Sequence, residues 1–222
     1  GATINITGAT QTGFPSAGFS GIDETTAAGS TTYTVPTDIT KLVVYITGGG
    51  GGGGGGAAGV QEGTGGNSAT TVIARVTVVA ADTITIAVGA GGTAAGDSSH
   101  GGEGGDSTFT HATGSGSFDT ITAPGGEKGT YVAATARPAA PVAGTVGASN
   151  EGISVIGAYG NTADRSGGPS FWGGGGLGAV SPYLVSKPGV AQGSGGGAGQ
   201  SVTSYTLGAA GGNGVCLIME YK

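Results

Sequence analysis

Residues 41–56 read KLVVYITGGGGGGGGG, and this stretch decides what kind of fold the chain can adopt. Its first half, Lys41–Thr47, is a run of β-branched and aromatic residues that is typical of a strand covered on both faces. Its second half is nine consecutive glycines, residues 48–56. An α-helix there would cost about 1 kcal/mol per residue relative to alanine, and a β-strand would have no side chains to pack.

The regular conformation that remains for these glycines is an extended helix of the polyproline II type, with three residues per turn. Ordering nine glycines costs on the order of 10–20 kcal/mol of backbone entropy, which only a cooperative array of lateral hydrogen bonds offsets. Such an array needs several similar blocks, and glycine recurs in residues 89–92, 101–105, 125–126, 173–176, 193–199 and 211–212. We therefore predict packed polyglycine II-type helices, with flexible glycine-rich loops as the alternative.

The overall composition indicates an ordered chain of unusual type. Glycine supplies 54 of 222 residues, yet 36% of the chain is hydrophobic and only 9% is charged, which is unlike a disordered segment. The net charge of −6, with seven Lys and Arg residues, argues against a nucleic-acid partner. The sequence contains no apolar run of about 20 residues, so we expect no membrane insertion. It also has no recognisable secretory signal.

Alternating Thr, Val, Ile and Tyr predict strands in much of the remaining chain. Residues 70–79 and 83–88 are typical of a hairpin, with its turn at residues 80–82. Helix is disfavoured, because the best candidate, residues 132–140, is interrupted by Pro138. The other predicted strands are residues 3–7, 31–35, 41–47, 107–110 and 215–221. These elements predict an all-β fold, an antiparallel β-sandwich (jelly-roll-like) with almost no α-helix.

The N-terminal residues differ in character from the rest of the chain, because their glycines are isolated and an acidic pair stands at Asp23 and Glu24. We predict that residues 1–30 form an N-terminal arm or attachment segment and that residues 31–222 form a glycine-rich β domain. The alternative for the first region is an ordinary N-terminal strand of the same domain.

No constellation of residues predicts chemistry. Residues 89–91, GAG, come after a predicted strand as in a nucleotide-binding loop, but no helix comes after them. Residues 101–106, GGEGGD, match half of a calcium-binding repeat that occurs only once. His100 and His111 lack the spacing that puts two metal ligands on one face. We therefore predict no enzyme activity, no catalytic residue, no metal site and no cofactor.

Aromatic residues are the candidate binding residues, because aromatics beside glycine and serine are typical of recognition loops. The five that lie outside the clear strands are Tyr131, Tyr159, Phe171, Trp172 and Tyr183. Phe171 and Trp172 precede residues 173–176, so packing against the glycine array competes with receptor contact for this pair. Core packing is likewise the alternative for the three tyrosines.

The order of the motifs resembles the glycine-rich domain of bacteriophage tail fibre and tip adhesin proteins. The opening is TYTVP at residues 32–36, then KLVVYI at residues 41–46, then the glycine tract. The later motifs of the series are VGAGG at residues 88–92, GGEGGDSTF at 101–109, APGG at 123–126 and GGNGV at 211–215. The resemblance covers residues 30–222, whereas residues 1–30 do not resemble a known fibre-docking domain.

The resemblance implies a virion structural protein, a tail fibre or spike component assembled in the host cytoplasm as a homotrimer with other virion proteins. It would attach to an outer-membrane protein or polysaccharide of the bacterial surface. The implied receptor loops are residues 128–148, 159–172 and 177–192. Two alternatives stay open from the sequence. One is a scaffold without a receptor, such as an ice-binding glycine-helix protein, and the other is a glycan hydrolase.

Overall fold

The computed structural model describes residues 18–56, 63–131, 138–179, 185–200 and 207–222. Within these ranges the chain contains no α-helix and has nine strands. They are β1 (Phe19–Thr25), β2 (Gly29–Thr34), β3 (Lys41–Thr47), β4 (Thr71–Thr77), β5 (Thr83–Val88), β6 (Ser107–Thr113), β7 (Ile121–Ala123), β8 (Glu151–Val155) and β9 (Val215–Tyr221). The described residues hold no helix long and apolar enough to span a bilayer.

The strands form two antiparallel sheets, of order β1-β9-β3-β4-β8 and β2-β5-β6-β7. Alternate residues of β3 and β4 point inward and meet the apolar side chains of β5 and β6. The core between the sheets includes Leu42, Val44, Ile46, Val72, Val76, Ile84, Ile86, Phe109, Ile121 and Ile218, each at most 2% exposed. The predicted all-β sandwich is confirmed.

The predicted hairpin of residues 70–79 and 83–88 is wrong, because β4 and β5 lie in different sheets. The turn between them carries the chain across the core: Ala81 has a left-handed φ of 68°, and its amide donates to the Val35 carbonyl at 2.9 Å. Period-two alternation shows that each strand has one apolar face. It does not show whether those two faces lie side by side or opposite each other.

Three strands were not predicted from the sequence, namely β1, β7 and β8. β1 and β8 are the edges of the larger sheet, and β7 is an edge of the smaller one. Edge strands have one free side and show weak apolar alternation. Of the predicted arm, β1 pairs with β9, whereas residues 3–7 lie outside the described residues. The division at residue 30 stays a prediction.

The glycine tract continues directly from β3 and forms a regular helix. The amides of Gly49, Gly52 and Gly55 donate to the carbonyls of residues 105, 102 and 99, at 2.8 to 3.0 Å. Those of Gly51 and Gly54 donate to residues 67 and 64, and those of Gly50 and Gly53 to residues 212 and 209. Every third amide therefore faces the same neighbour, which is the signature of a helix with three residues per turn.

Six glycine-rich segments surround this central helix. Three run antiparallel to it, and their carbonyls accept hydrogen bonds from its amides, namely residues 63–70, 99–105 and 207–212. Three run parallel and donate to its carbonyls, as Gly92 does to Gly50, Gly126 to Gly49 and Gly196 to Gly51, at 2.7 to 2.9 Å. We call this array, with its outer segments 157–161, 165–168, 174–179 and 185–190, the glycine lattice. The predicted packing of polyglycine II-type helices is confirmed.

The lattice requires glycine because backbones are in direct contact. A Cβ atom on Gly48, Gly51 or Gly54 would overlap the carbonyl of residue 124, 127 or 130 of one parallel neighbour. Gly49, Gly52 and Gly55 are blocked in the same way by residues 90, 93 and 96. In this half of the molecule backbone packs against backbone, and only a few small side chains, such as those of Asn67 and Ser194, are buried among the segments.

Candidate recognition surface

The glycine lattice has two ends, because its segments extend from the strands and return to them. At one end, which we call the base, the segments join β3, β4, β5, β6, β7, β8 and β9. At the other end, which we call the tip, they reverse direction. The tip comprises residues 54–56, 63–64, 95–100, 130–131, 161–165, 178–179, 185–186, 199–200 and 207–208. The rise of about 3.1 Å per residue places the tip about 22 Å from the base.

Hydrogen bonds between segments hold the tip together. Gly63 donates to Gly199 at 3.2 Å and Gly199 donates to Gly54 at 2.9 Å, which ties two neighbouring segments to the central helix. Gly55 donates to Ser99 at 3.0 Å, and Gly208 donates to Ala95 at 3.1 Å. The segment ends are therefore fixed relative to one another up to the point where the chain turns.

Tyr131 lies at the tip. Its amide donates to Nδ1 of His100 at 3.2 Å, and the two rings meet edge to face with centroids 6.1 Å apart. The preceding residue, Thr130, accepts from the Thr64 amide at 2.8 Å and donates its own amide to Thr64 Oγ1. His100 is exposed and serves here as a hydrogen-bond acceptor.

Tyr159 lies on lattice segment 157–161, which extends from β8 toward the tip. The side chain is 44% exposed and borders a cavity of about 240 Å³ shared with Gly160, Asn161 and Thr162. Asn161 closes the turn: its amide donates to the Ser166 carbonyl at 2.7 Å, and its Oδ1 accepts from the Ala163 amide. An aromatic ring next to amide and hydroxyl groups provides both stacking and hydrogen bonding.

Phe171 and Trp172 lie at the base, over the outer face of β3. The Trp172 indole N–H donates to Oγ1 of the buried Thr47 at 2.8 Å, and both rings contact Tyr45 of β3. Phe171 remains 48% exposed. The structure therefore separates this pair from Tyr131 by the length of the lattice, and the sheet is the surface on which Trp172 packs.

Tyr183 lies outside the described residues, and the segment ends that flank it, Ala179 and Val185, belong to the tip. The assignment of all five aromatic residues to a receptor stays a prediction. The implied receptor loop 128–148 does not lie wholly at the tip. Its later part returns toward the base, where the carbonyls of Ala139 and Val142 accept hydrogen bonds from the side chains of Asn67 and Thr70.

Exposed aliphatic residues near the tip were not found from the sequence. Leu177, Val185 and Leu207 are 68%, 71% and 58% exposed. They lie on adjacent segments, since Lys187 donates to the Leu177 carbonyl and Ser186 Oγ donates to the Leu207 carbonyl. The only sequence signal was a large aliphatic residue next to glycine, as in GGLG at residues 175–178.

The strongly perturbed titratable groups lie in the sandwich. Burial raises the pKa of the Cys216 thiol to about 12. Burial also raises the pKa of Tyr33, whose hydroxyl donates to Glu220 at 2.6 Å.

Among the described residues, no three His, Cys, Asp or Glu side chains come together in a group that could hold a metal ion. In the GGEGGD motif, Asp106 accepts from the Gly125 amide at 2.9 Å and so bridges two lattice segments.

Comparison with known families shows to which family the chain belongs. The family model described as a glycine-rich domain matches residues 25–221, and the chain belongs to this family. The match includes strands β2 to β9 and the glycine lattice, whereas β1 lies almost wholly outside it. No curated protein matches the chain.

Proposed function

We propose that this protein is a non-enzymatic receptor-binding component of a bacteriophage virion, a tail fibre or spike protein that attaches through the tip of its glycine lattice. The observation that carries the proposal is the gathering of the described segment ends at the end of the lattice remote from the sandwich. Connecting segments carried by a rigid frame are a recurrent solution for recognition. The ordered motif series that resembles tail fibre glycine-rich domains supports the same assignment.

The lattice supports binding by pre-organisation. Association is opposed by the entropy of ordering loops, and a scaffold that fixes the loop ends reduces that cost. The lattice presents few side chains of its own, so the contacts with a receptor fall to the residues around the turns. At the tip these include Tyr131, Val185 and Leu207, and Tyr183 lies between two tip segments in the sequence. Buried aromatic groups carry much of the binding energy of an interface, and the apolar residues around them exclude water.

The partner we propose is a surface molecule of a Gram-negative bacterium, an outer-membrane protein or a polysaccharide. The proposal includes other virion proteins as assembly partners and a homo-oligomer, which the resemblance implies to be a trimer. It places the protein on the virion after assembly in the host cytoplasm, with neither nucleic-acid binding nor membrane insertion.

The test is binding of the labelled 222-residue chain to a panel of Gram-negative strains. We expect Tyr131→Ala, Tyr183→Ala and Leu207→Ser to weaken binding at least tenfold on a strain that the parent chain binds. The matched control is Phe171→Ala, an aromatic truncation at the base, which should leave binding within twofold. Loss of binding in the control but not in the tip variants would refute the assignment to the tip. Release of sugars from purified polysaccharide would favour the hydrolase alternative.

A further inference from the structure

The outer face of the five-stranded sheet carries adjacent apolar side chains among charged ones. In β3, Leu42, Val44 and Ile46 point into the core, so Val43 and Tyr45 point outward. The residues paired with these two on the other strands point outward as well. From β1 to β8, one row is Ile22, Met219, Val43, Arg75 and Glu151, and the next is Glu24, Leu217, Tyr45, Ile73 and Ile153.

This face is exposed to solvent at both edges of the sheet. Ile22 on β1 is 58% exposed, and Ile153 on β8 is 60% exposed. Phe19, which stacks edge to face on Tyr221, is 55% exposed. Isolated exposed aliphatic residues are ordinary, but adjacent apolar side chains that reach both edges of one sheet mark an interaction surface.

Part of this face is covered by the chain itself. Five strands spaced about 4.8 Å apart and seven residues of about 3.3 Å each give the whole face a footprint of roughly 550 Å². Phe171 and Trp172 lie over Tyr45, so sheet-to-sheet contact with a second copy is confined to the remainder, around Met219 and Val43. Two such remainders bury less than about 1,100 Å² in total, which is the size of a weak, reversible contact.

The charges on this face complement one another. Glu24 lies opposite Leu217, and Lys41 lies opposite Tyr221, on the two strands that flank β9. Met219 is therefore halfway between the carboxylate and the ammonium positions. Neither charged group forms an ion pair within the part of the chain that the structure describes. By contrast, Arg75 on the same face is paired with Glu151.

We propose that the outer face of the five-stranded sheet binds the same face of a second copy of this chain. A two-fold axis that lies between the two sheets and passes over Met219 exchanges the positions of Glu24 and Lys41. Each copy then places its Glu24 against Lys41 of the other, and the apolar side chains around Met219 meet in the middle. The result is a closed dimer with an isologous interface.

The dimer inference rests on the sheet face alone and is independent of the proposed attachment function. The base and the sandwich form the interface, so both lattice tips stay free. It is an alternative to the trimer that the resemblance implies, because an isologous contact closes with two copies.

The experiment is sedimentation equilibrium of the 222-residue chain from 1 to 100 μM. We expect a species of twice the 20.6 kDa chain mass. Glu24→Lys and Lys41→Glu should each raise the dissociation constant at least tenfold, because like charges then face each other. The double variant E24K/K41E should restore the parent affinity within about threefold. Rescue of this kind distinguishes a direct contact from a loss of folding.

An apolar control uses two exposed aliphatic residues. Ile153→Lys, on the face, should weaken dimerisation at least tenfold, whereas Leu177→Lys, near the tip and 68% exposed, should not change it. A monomer throughout the concentration range, a trimer, or a dimer unaffected by Ile153→Lys would each overturn the proposal. Failure of the charge swap to restore affinity would overturn the proposed axis.

Discussion

A Cβ atom placed on Gly51 would overlap the carbonyl oxygen of Glu127, which lies on the parallel segment beside the central helix. The obstacle is backbone on a segment that is itself bonded to the lattice, so it cannot move aside as the end of a side chain could. At this position the identity of the residue is therefore fixed by the tertiary structure.

We expect Gly51→Ala to lower the free energy of unfolding by about 3 kcal/mol, the upper range for overpacking in a rigid core. The control is Gly174→Ala, where nothing lies within 4 Å of the added Cβ atom. That substitution should be neutral or stabilise by about 0.5 kcal/mol, through the unfolded state. Urea denaturation followed by circular dichroism measures both. Equal stability of the two variants would contradict the packing of the central helix.

The amides of residues 49–55 should exchange with solvent as slowly as those of β3. Each donates a hydrogen bond of 2.8 to 3.0 Å to a neighbouring segment, and all are buried. Opening any one of them requires separating the lattice, so protection should approach that of global unfolding. Hydrogen exchange followed by NMR measures this, and exchange of the tract within seconds would contradict it.

Trp172→Phe should destabilise the protein by about 1 kcal/mol, because it removes the hydrogen bond to Thr47 while it keeps an aromatic ring over β3. Phe171→Leu is the control, since Phe171 is half exposed and donates no side-chain hydrogen bond. We expect a smaller loss there. Thermal unfolding by circular dichroism compares the two, because Trp172 is the only tryptophan and its fluorescence is lost in the variant. A Trp172→Phe variant as stable as the parent would show that this bond contributes nothing.

Asp82 should make folding stability depend on pH in the acid range. Burial alone would raise the pKa of this carboxyl. Hydrogen bonds from the amides of Val79 and Gly116, and the nearby His111 imidazole, outweigh burial and hold the pKa below its ordinary 3.8. The stabilisation is therefore fully present above pH 3.8 and is lost as the pH falls through the folded pKa.

Asp82→Asn should remove this part of the acid destabilisation and cost about 1–3 kcal/mol at neutral pH. An amide has one acceptor oxygen, whereas the two oxygens of Asp82 accept from different amides. Asp97→Asn, at an exposed turn, is the control and should change neither quantity. Urea titrations between pH 2 and 7 measure both. An unchanged acid dependence in Asp82→Asn would contradict the role of this carboxylate.

Local chemistry made much of the fold predictable. Nine glycines in a row can form a helix with three residues per turn. The strands β3, β5 and β9 were predicted from runs of β-branched residues bounded by glycine or proline. The edge strands β1, β7 and β8 were missed, because their stabilisation comes from a neighbouring strand and leaves little trace in their own residues. Of the candidate binding residues, the sequence could name the aromatic side chains but not their positions, and Leu177, Val185 and Leu207 gave almost no signal.

The sequence by itself determined that the backbone of residues 48–56 must be extended, without side-chain packing, and that the remaining strands need a shared apolar core. Only the tertiary structure decided which segments bond to the glycine tract, that β4 and β5 lie in opposite sheets, and that Tyr131 and Trp172 lie at opposite ends of the lattice. The reason is that glycine has no side chain to specify a neighbour. The lateral bonds of the tract come from residues as distant as 212, whose position is set by β9 and the sandwich core.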